Sequence, residues 1–87
     1  MNNVIKIFGF DNCPYCTELK TLLENEGVLY TYMDITKAEN RAEYDKVAEV
    51  SKCSDLPIIQ VNHHLIIPEV SFTNIPDVPA LIKRLLS

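Results

Sequence analysis

The chain has 87 residues, 47% hydrophobic and 23% charged, with two Gly and five Pro. This is the composition of one small globular domain over residues 1–87, and it excludes disorder, collagen-like repeats and linker sequence. Twelve acids against eight bases give a formal charge of −4. That balance repels phosphate backbones and argues against nucleic acid as a partner, and no apolar run approaches the ~20 residues of a membrane helix.

Val4-Ile5-Lys6-Ile7-Phe8 is β-branched and aromatic, stops at Gly9, and reads as a mostly buried first strand. After Phe10-Asp11-Asn12 a helix is expected from Pro14, since a first-turn proline loses no intrahelical hydrogen bond. Cys16, Leu19, Leu22 and Leu23 recur on its apolar face, and Gly27 ends it. Leu29–Ile35 alternates as a second strand, completing a βαβ unit with parallel strands. Thr36 with Glu39 three residues on predicts a capping box for a helix reaching about Val50, with Tyr44, Val47 and Ala48 inward. Pro57–Val61 is a third strand, Asn62-His63-His64 a turn, and Leu65-Ile66-Ile67 a short fourth strand. Residues 68–76 read as irregular. Asp77 is then the expected cap of a last helix, whose Leu81, Ile82, Leu85 and Leu86 form its apolar stripe. The fold class is α/β: a four-stranded mixed sheet in the order β-α-β-α-β-β-α, with helices on both faces.

Three cysteines are too few, and odd in number, for a secreted disulfide scaffold. The segment before Phe8 lacks the apolar stretch of a signal peptide, so a cytoplasmic location is expected. There Cys13-Pro14-Tyr15-Cys16 reads as redox or metal chemistry. Backbone N–H groups at a helix start favour an anion, here the thiolate of Cys13, and the sulfur of Cys16 lies one turn deeper on the same face. The chemistry that follows is thiol–disulfide exchange, with Cys13 as nucleophile and Cys16 as resolving thiol. A zinc site needs a second pair of ligands. The candidates, Cys53 and adjacent His63-His64, are badly spaced, so no metal is expected. Cys53 reads as an incidental thiol, Tyr30, Tyr32 and Tyr44 as packing, and Lys20 as either a solubilising or a catalytic residue.

Phe8-Gly9, the Cys-Pro-Tyr-Cys tetrapeptide with Lys20 four residues on, Met33-Asp34-Ile35 and Leu56-Pro57 together resemble a dithiol glutaredoxin of the thioredoxin superfamily, over nearly the whole chain. The resemblance implies a thioredoxin fold. It implies a cis-proline at Pro57, a Leu56 backbone that pairs with the backbone of glutathione or of a protein substrate, and a Tyr15 that walls the groove. Thr73 and Asn74 take the place of the family's γ-glutamyl-binding segment. It further implies no bound cofactor, glutathione as co-substrate, disulfide-bearing clients such as ribonucleotide reductase, and a monomer. Three departures bear on the glutathione site. Asp11 lies where the family commonly has a cation before the motif, Asp55 replaces a common Thr, and Val70-Ser71-Phe72-Thr73-Asn74 lacks the family's glycines and final acid. Four readings therefore stay open: a glutathione-coupled oxidoreductase, a redoxin supplied by thioredoxin reductase, an iron–sulfur carrier, and a partner-binding module with idle thiols. Pro14 argues against the carrier, and retention of both cysteines against the module.

Overall fold

The computed structural model describes residues 3–53 and 55–86. Its strands are β1 (Ile5–Gly9), β2 (Thr31–Asp34), β3 (Ile58–Val61) and β4 (His64–Ile66), and its α-helices are α1 (Pro14–Asn25), α2 (Ala38–Ser51) and α3 (Val78–Leu86). A single 3₁₀ turn, Ile75–Asp77, leads into α3. The sheet order is β2-β1-β3-β4, with β1 and β2 parallel and the other two pairings antiparallel. The expected mixed sheet is therefore present, with β1 and β3 at its centre.

Strand alternation divides the apolar residues between two layers. Ile5 and Ile7 of β1, with Ile59 and Val61 of β3, join Leu19 and Leu23 of α1 and Val78 and Ile82 of α3. Phe8 and Ile58, directly opposed across β1 and β3, face Tyr44 and Val47 of α2. Phe8 and Tyr44 meet at a centroid distance of 6.3 Å in a tilted arrangement, within the range favoured for aromatic pairs. Lys6 also lies on the α2 side of β1, and its ammonium forms an ion pair with Glu43.

Gly27 ends α1 at φ 70°. The Val28 N–H reaches back to the Leu23 carbonyl and the Gly27 N–H to that of Glu24, the Schellman pattern that needs a left-handed residue. Lys83 of α3 pairs with Glu26 beside this cap, tying the two helices on that face together.

Several boundaries depart from the sequence reading. β2 begins at Thr31, leaving Leu29 89% exposed. β3 begins after Pro57, and β4 starts at His64, which pairs with Val61 across the turn. The capping box does not form. Lys37 is the N-cap of α2 and makes no side-chain cap bond, while the Thr36 N–H and hydroxyl both donate to Asp34 Oδ1. An Asx turn has claimed the threonine: its hydroxyl donates to the acid two residues before it, where a capping box would have it accept an N–H of the helix start. Asp77 likewise lies inside the 3₁₀ turn, its N–H donating to the Asn74 carbonyl, and is not the cap of α3.

With Phe8 fully buried at the contact of sheet and helix, Phe8→Ala is expected to lower unfolding free energy by about 3–5 kcal/mol. Leu29→Ala should stay within about 0.5 kcal/mol. Urea denaturation of both variants is the check, and equal effects would contradict the burial described.

Candidate active site

Cys13 is the N-cap residue of α1. Its backbone is extended, at φ −95° and ψ 108°, and its Sγ accepts the Cys16 N–H at 3.2 Å. The sulfur thus stands where Ser or Asp oxygens usually cap a helix. Pro14 at the first helical position has no N–H to leave unpaired, and the Cys13 carbonyl accepts the Thr17 N–H at 3.1 Å to start the helical ladder.

Both cysteines are free thiols. Cys13 keeps 7% exposure and Cys16 none, so Cys13 is the one an incoming disulfide can reach. Burial pushes the Cys16 thiol up to about 12 from 9.0, and its hydrogen bond with the Cys13 side chain adds to the rise. Bonding to the Phe10 backbone opposes it without cancelling it. Cys16 is therefore a protonated thiol at neutral pH, packed at the back of the site.

Gly9 makes the space for this. A Cβ at that position would stand 2.6 Å from Cys16 Sγ and 2.9 Å from Tyr32 Oη. Real Cβ atoms do not come so close, so the end of β1 has to be bare for the sulfur to sit on it. Tyr32, opposite Ile7 in the parallel register, projects onto the α1 side of the sheet with the Lys20 Nζ 4.1 Å above its ring.

A groove of about 460 Å³ opens at Tyr15, in the first turn of α1. Tyr15, between the two cysteines in sequence and 61% exposed, contributes a wall with Glu18 of α1. Asp55, Leu56 and Pro57 from the approach to β3 form another side, and the Leu56–Pro57 peptide is cis. Glu69, Phe72, Thr73 and Asn74 close it together with Ile75 and Pro76. The structure thus brings Tyr15, Leu56, Pro57, Thr73 and Asn74 together in one groove, whose lining includes neither Cys13 nor Cys16. Phe72 is mostly buried in the core while still reaching the groove. Three carboxylates line the groove, and no Lys, Arg or His is among its lining residues.

Other residues fall outside this arrangement. Cys53 is half-buried, its Sγ 3.9 Å from the Asp55 carbonyl, and it does not line the groove. His63 and His64 are exposed at the β3–β4 turn. Among the described residues no group of three or more His, Cys, Asp or Glu is placed to hold a metal ion, and no helix is long and apolar enough to cross a membrane. Glu18, Glu69 and Tyr32 had no motif to mark them. Tyr32 carries one retrospective signal: strand alternation places it on the same side of the sheet as the apolar face of α1, which includes Cys16.

The Glutaredoxin family model matches residues 5–66. The chain belongs to the glutaredoxin family. A glutaredoxin-like protein of the rubredoxin operon in Clostridium pasteurianum is 27% identical over 64 residues, 74% of this chain and 83% of that protein. Glutaredoxin 1 from Francisella tularensis, solved with cacodylate, superposes with a TM-score of 0.65 at 20% identity over 98% of each chain. The Escherichia coli NrdH-redoxin, described as a glutaredoxin-like protein with a thioredoxin-like activity profile, gives 0.65 at 20% identity over 93% of this chain and 92% of its own. The fold is the thioredoxin-like fold of these redoxins, and family membership makes the chain a thiol–disulfide oxidoreductase.

The state of Cys16 fixes a pH dependence. The unfolded thiol ionises near 9.0 and the native one near 12, so between those values the unfolded chain releases a proton that the native chain retains. Stability from this group is complete below pH 9.0 and is lost as the pH rises toward 12. Burial raises the Tyr32 phenol too, which acts in the same direction. Urea unfolding should show stability falling across this alkaline window, with a shallower fall in Cys16→Ala. An identical fall in that variant would assign the loss to other groups.

Proposed function

We propose that this glutaredoxin-family protein reduces protein disulfides through Cys13 and Cys16, in the two-step exchange of a dithiol redoxin. Cys13 attacks a client disulfide and forms a mixed disulfide. Cys16 then attacks the Cys13 sulfur, a Cys13–Cys16 bond forms, and the client leaves as a thiol. The observation that carries the reading is the Cys13 sulfur at the start of α1, accepting the Cys16 N–H. That N–H and the positive helix end stabilise the anion that attacks. Cys16 is close enough to complete the exchange and too buried to compete for the client.

The groove is the proposed client site. Tyr15 provides its wall, the Leu56 backbone beside cis-Pro57 its main-chain pairing edge, and Thr73 and Asn74 its far end. Its charge favours protein clients over glutathione. Glutathione brings two carboxylates, and the groove offers Glu18, Asp55 and Glu69 and no cation to receive them. Thioredoxin reductase therefore fits as electron donor at least as well as glutathione does. The thioredoxin-like activity profile of the NrdH-redoxin, which shares the fold, agrees with this reading. Ribonucleotide reductase is the client that the family resemblance suggests.

A coupled assay tests the reading with each donor in turn, glutathione with its reductase and thioredoxin reductase. Cys13→Ser should abolish reduction of every disulfide. Cys16→Ser should abolish reduction of protein disulfides and spare removal of glutathione from a mixed disulfide, which needs one thiol. Small and equal losses in both variants would overturn the assigned roles.

Charge reversal in the groove separates the two donors. In the double variant Glu18→Lys, Asp55→Lys, turnover of a glutathione mixed disulfide should rise about five- to tenfold at low salt. The gain should shrink near 1 M salt, where the screening length is about 3 Å. No gain at low salt would show that groove charge does not set the preference.

A further inference from the structure

We propose that Tyr32 assists the resolving step: its hydroxyl, facing the Cys16 sulfur across Gly9, donates a hydrogen bond to that sulfur as it becomes an anion and attacks the mixed disulfide. This rests on the reading of Cys16 as the resolving thiol and adds a residue that no motif marks.

The need arises from burial. Cys16 has no exposed surface, and in the reduced protein its thiol hydrogen-bonds to the Cys13 side chain and to the Phe10 backbone. Once the Cys13 sulfur is bonded to a client, the first of these is spent, and the Phe10 backbone alone does not offset burial. Cys16 must then shed its proton in a site that disfavours charge. The Tyr32 hydroxyl borders the same gap over Gly9 as the Cys16 sulfur, and makes no hydrogen bond to it in the reduced protein. The spot a Gly9 Cβ would occupy is 2.6 Å from Cys16 Sγ and 2.9 Å from Tyr32 Oη, so oxygen and sulfur are no further apart than the sum of those distances. The Lys20 ammonium on the ring face holds the phenol in place and adds positive charge to this side of the site.

The surroundings decide that Tyr32 acts as a donor and not as a base. Burial raises its ionisation, and negative charge on Cys16, Asp11, Asp34 and Cys13 raises it further. Asp11 comes from the β1–α1 loop, Asp34 from β2, and both thiols from the start of α1; Lys20 is the cation in contact. The phenol thus keeps its O–H when Cys16 becomes an anion. In the step itself the Cys16 Sγ–Cys13 Sγ bond forms and the bond from Cys13 Sγ to the client sulfur breaks. The dithiol is oxidised to a disulfide and the client sulfur reduced. The proton lost by Cys16 passes through solvent to the departing thiolate, and Tyr32 retains its own throughout.

The experiment isolates that step. Cys13 of the otherwise reduced protein is converted to its mixed disulfide with nitrothiobenzoate, and release of the coloured thiolate is followed by stopped flow against pH. Tyr32→Phe keeps the ring under Lys20 and removes only the hydroxyl. Release should slow about ten- to a hundredfold at neutral pH, as for loss of a hydrogen bond to a charged group. The pH profile of release should move to higher pH. Attack by Cys13 on a disulfide, measured in a Cys16→Ser background, should be unchanged by Tyr32→Phe. Site-specific incorporation of a ring-fluorinated tyrosine at 32, a stronger donor of the same shape, should accelerate release. An unchanged rate and profile in Tyr32→Phe would overturn the proposal, as would equal slowing of both steps or no acceleration by the fluorinated residue. Absence of release from the unsubstituted protein would instead overturn the resolving role of Cys16, and with it this inference.

Discussion

A single hydrogen bond, from the Cys16 N–H to the Cys13 sulfur, organises the site. It satisfies one of the backbone donors that every helix start leaves open, and it holds the sulfur in the positive field of those donors. The same bond therefore stabilises a helix and conditions a nucleophile. Its geometry requires an extended residue followed at once by helix, and Pro14 suits that junction because its φ is already helical and it has no N–H to waste. The second sulfur follows without further machinery: three residues on, it lies on the inward face of the first turn.

The small sheet gives this arrangement its rigidity. β1 is central, packed on one side by α1 and α3 and on the other by α2. Its last residue, Gly9, is the floor under Cys16 and Tyr32. A strand that buries Ile5 and Ile7 on one side and Phe8 on the other cannot slip register without exposing all three, so the floor is fixed relative to the helix that carries the cysteines. The groove draws on segments far apart in the chain, and the two apolar layers hold them together.

Charge separates the two halves of the site. The dithiol is built from backbone geometry and burial, which the Cys-Pro-Tyr-Cys tetrapeptide encodes locally. The groove is built from side chains on several segments, and here those are acidic: Glu18, Asp55 and Glu69. On the proposed reading, the chemistry of exchange and the choice of donor or client rest on different residues, so one can change while the other stays.

The sequence by itself determined the order of elements, the two-sided sheet and the pair of sulfurs at a helix start, because those depend on local periodicity and on the spacing of two residues within one turn. The cis-proline was legible only through family resemblance, since a strand-opening proline looks the same in either isomer. Tertiary structure decided the rest. Thr36 turned back to Asp34 instead of capping α2, a competition between a nearby carboxylate acceptor and a helix-start N–H donor that a motif cannot rank. Tyr32 came to rest near Cys16, and Glu69 in the same groove as Glu18, because the crossover of the βαβ unit and the path after β4 fold distant segments onto one another. Proximity of that kind is set by the packing of whole layers, and no short stretch of sequence contains it.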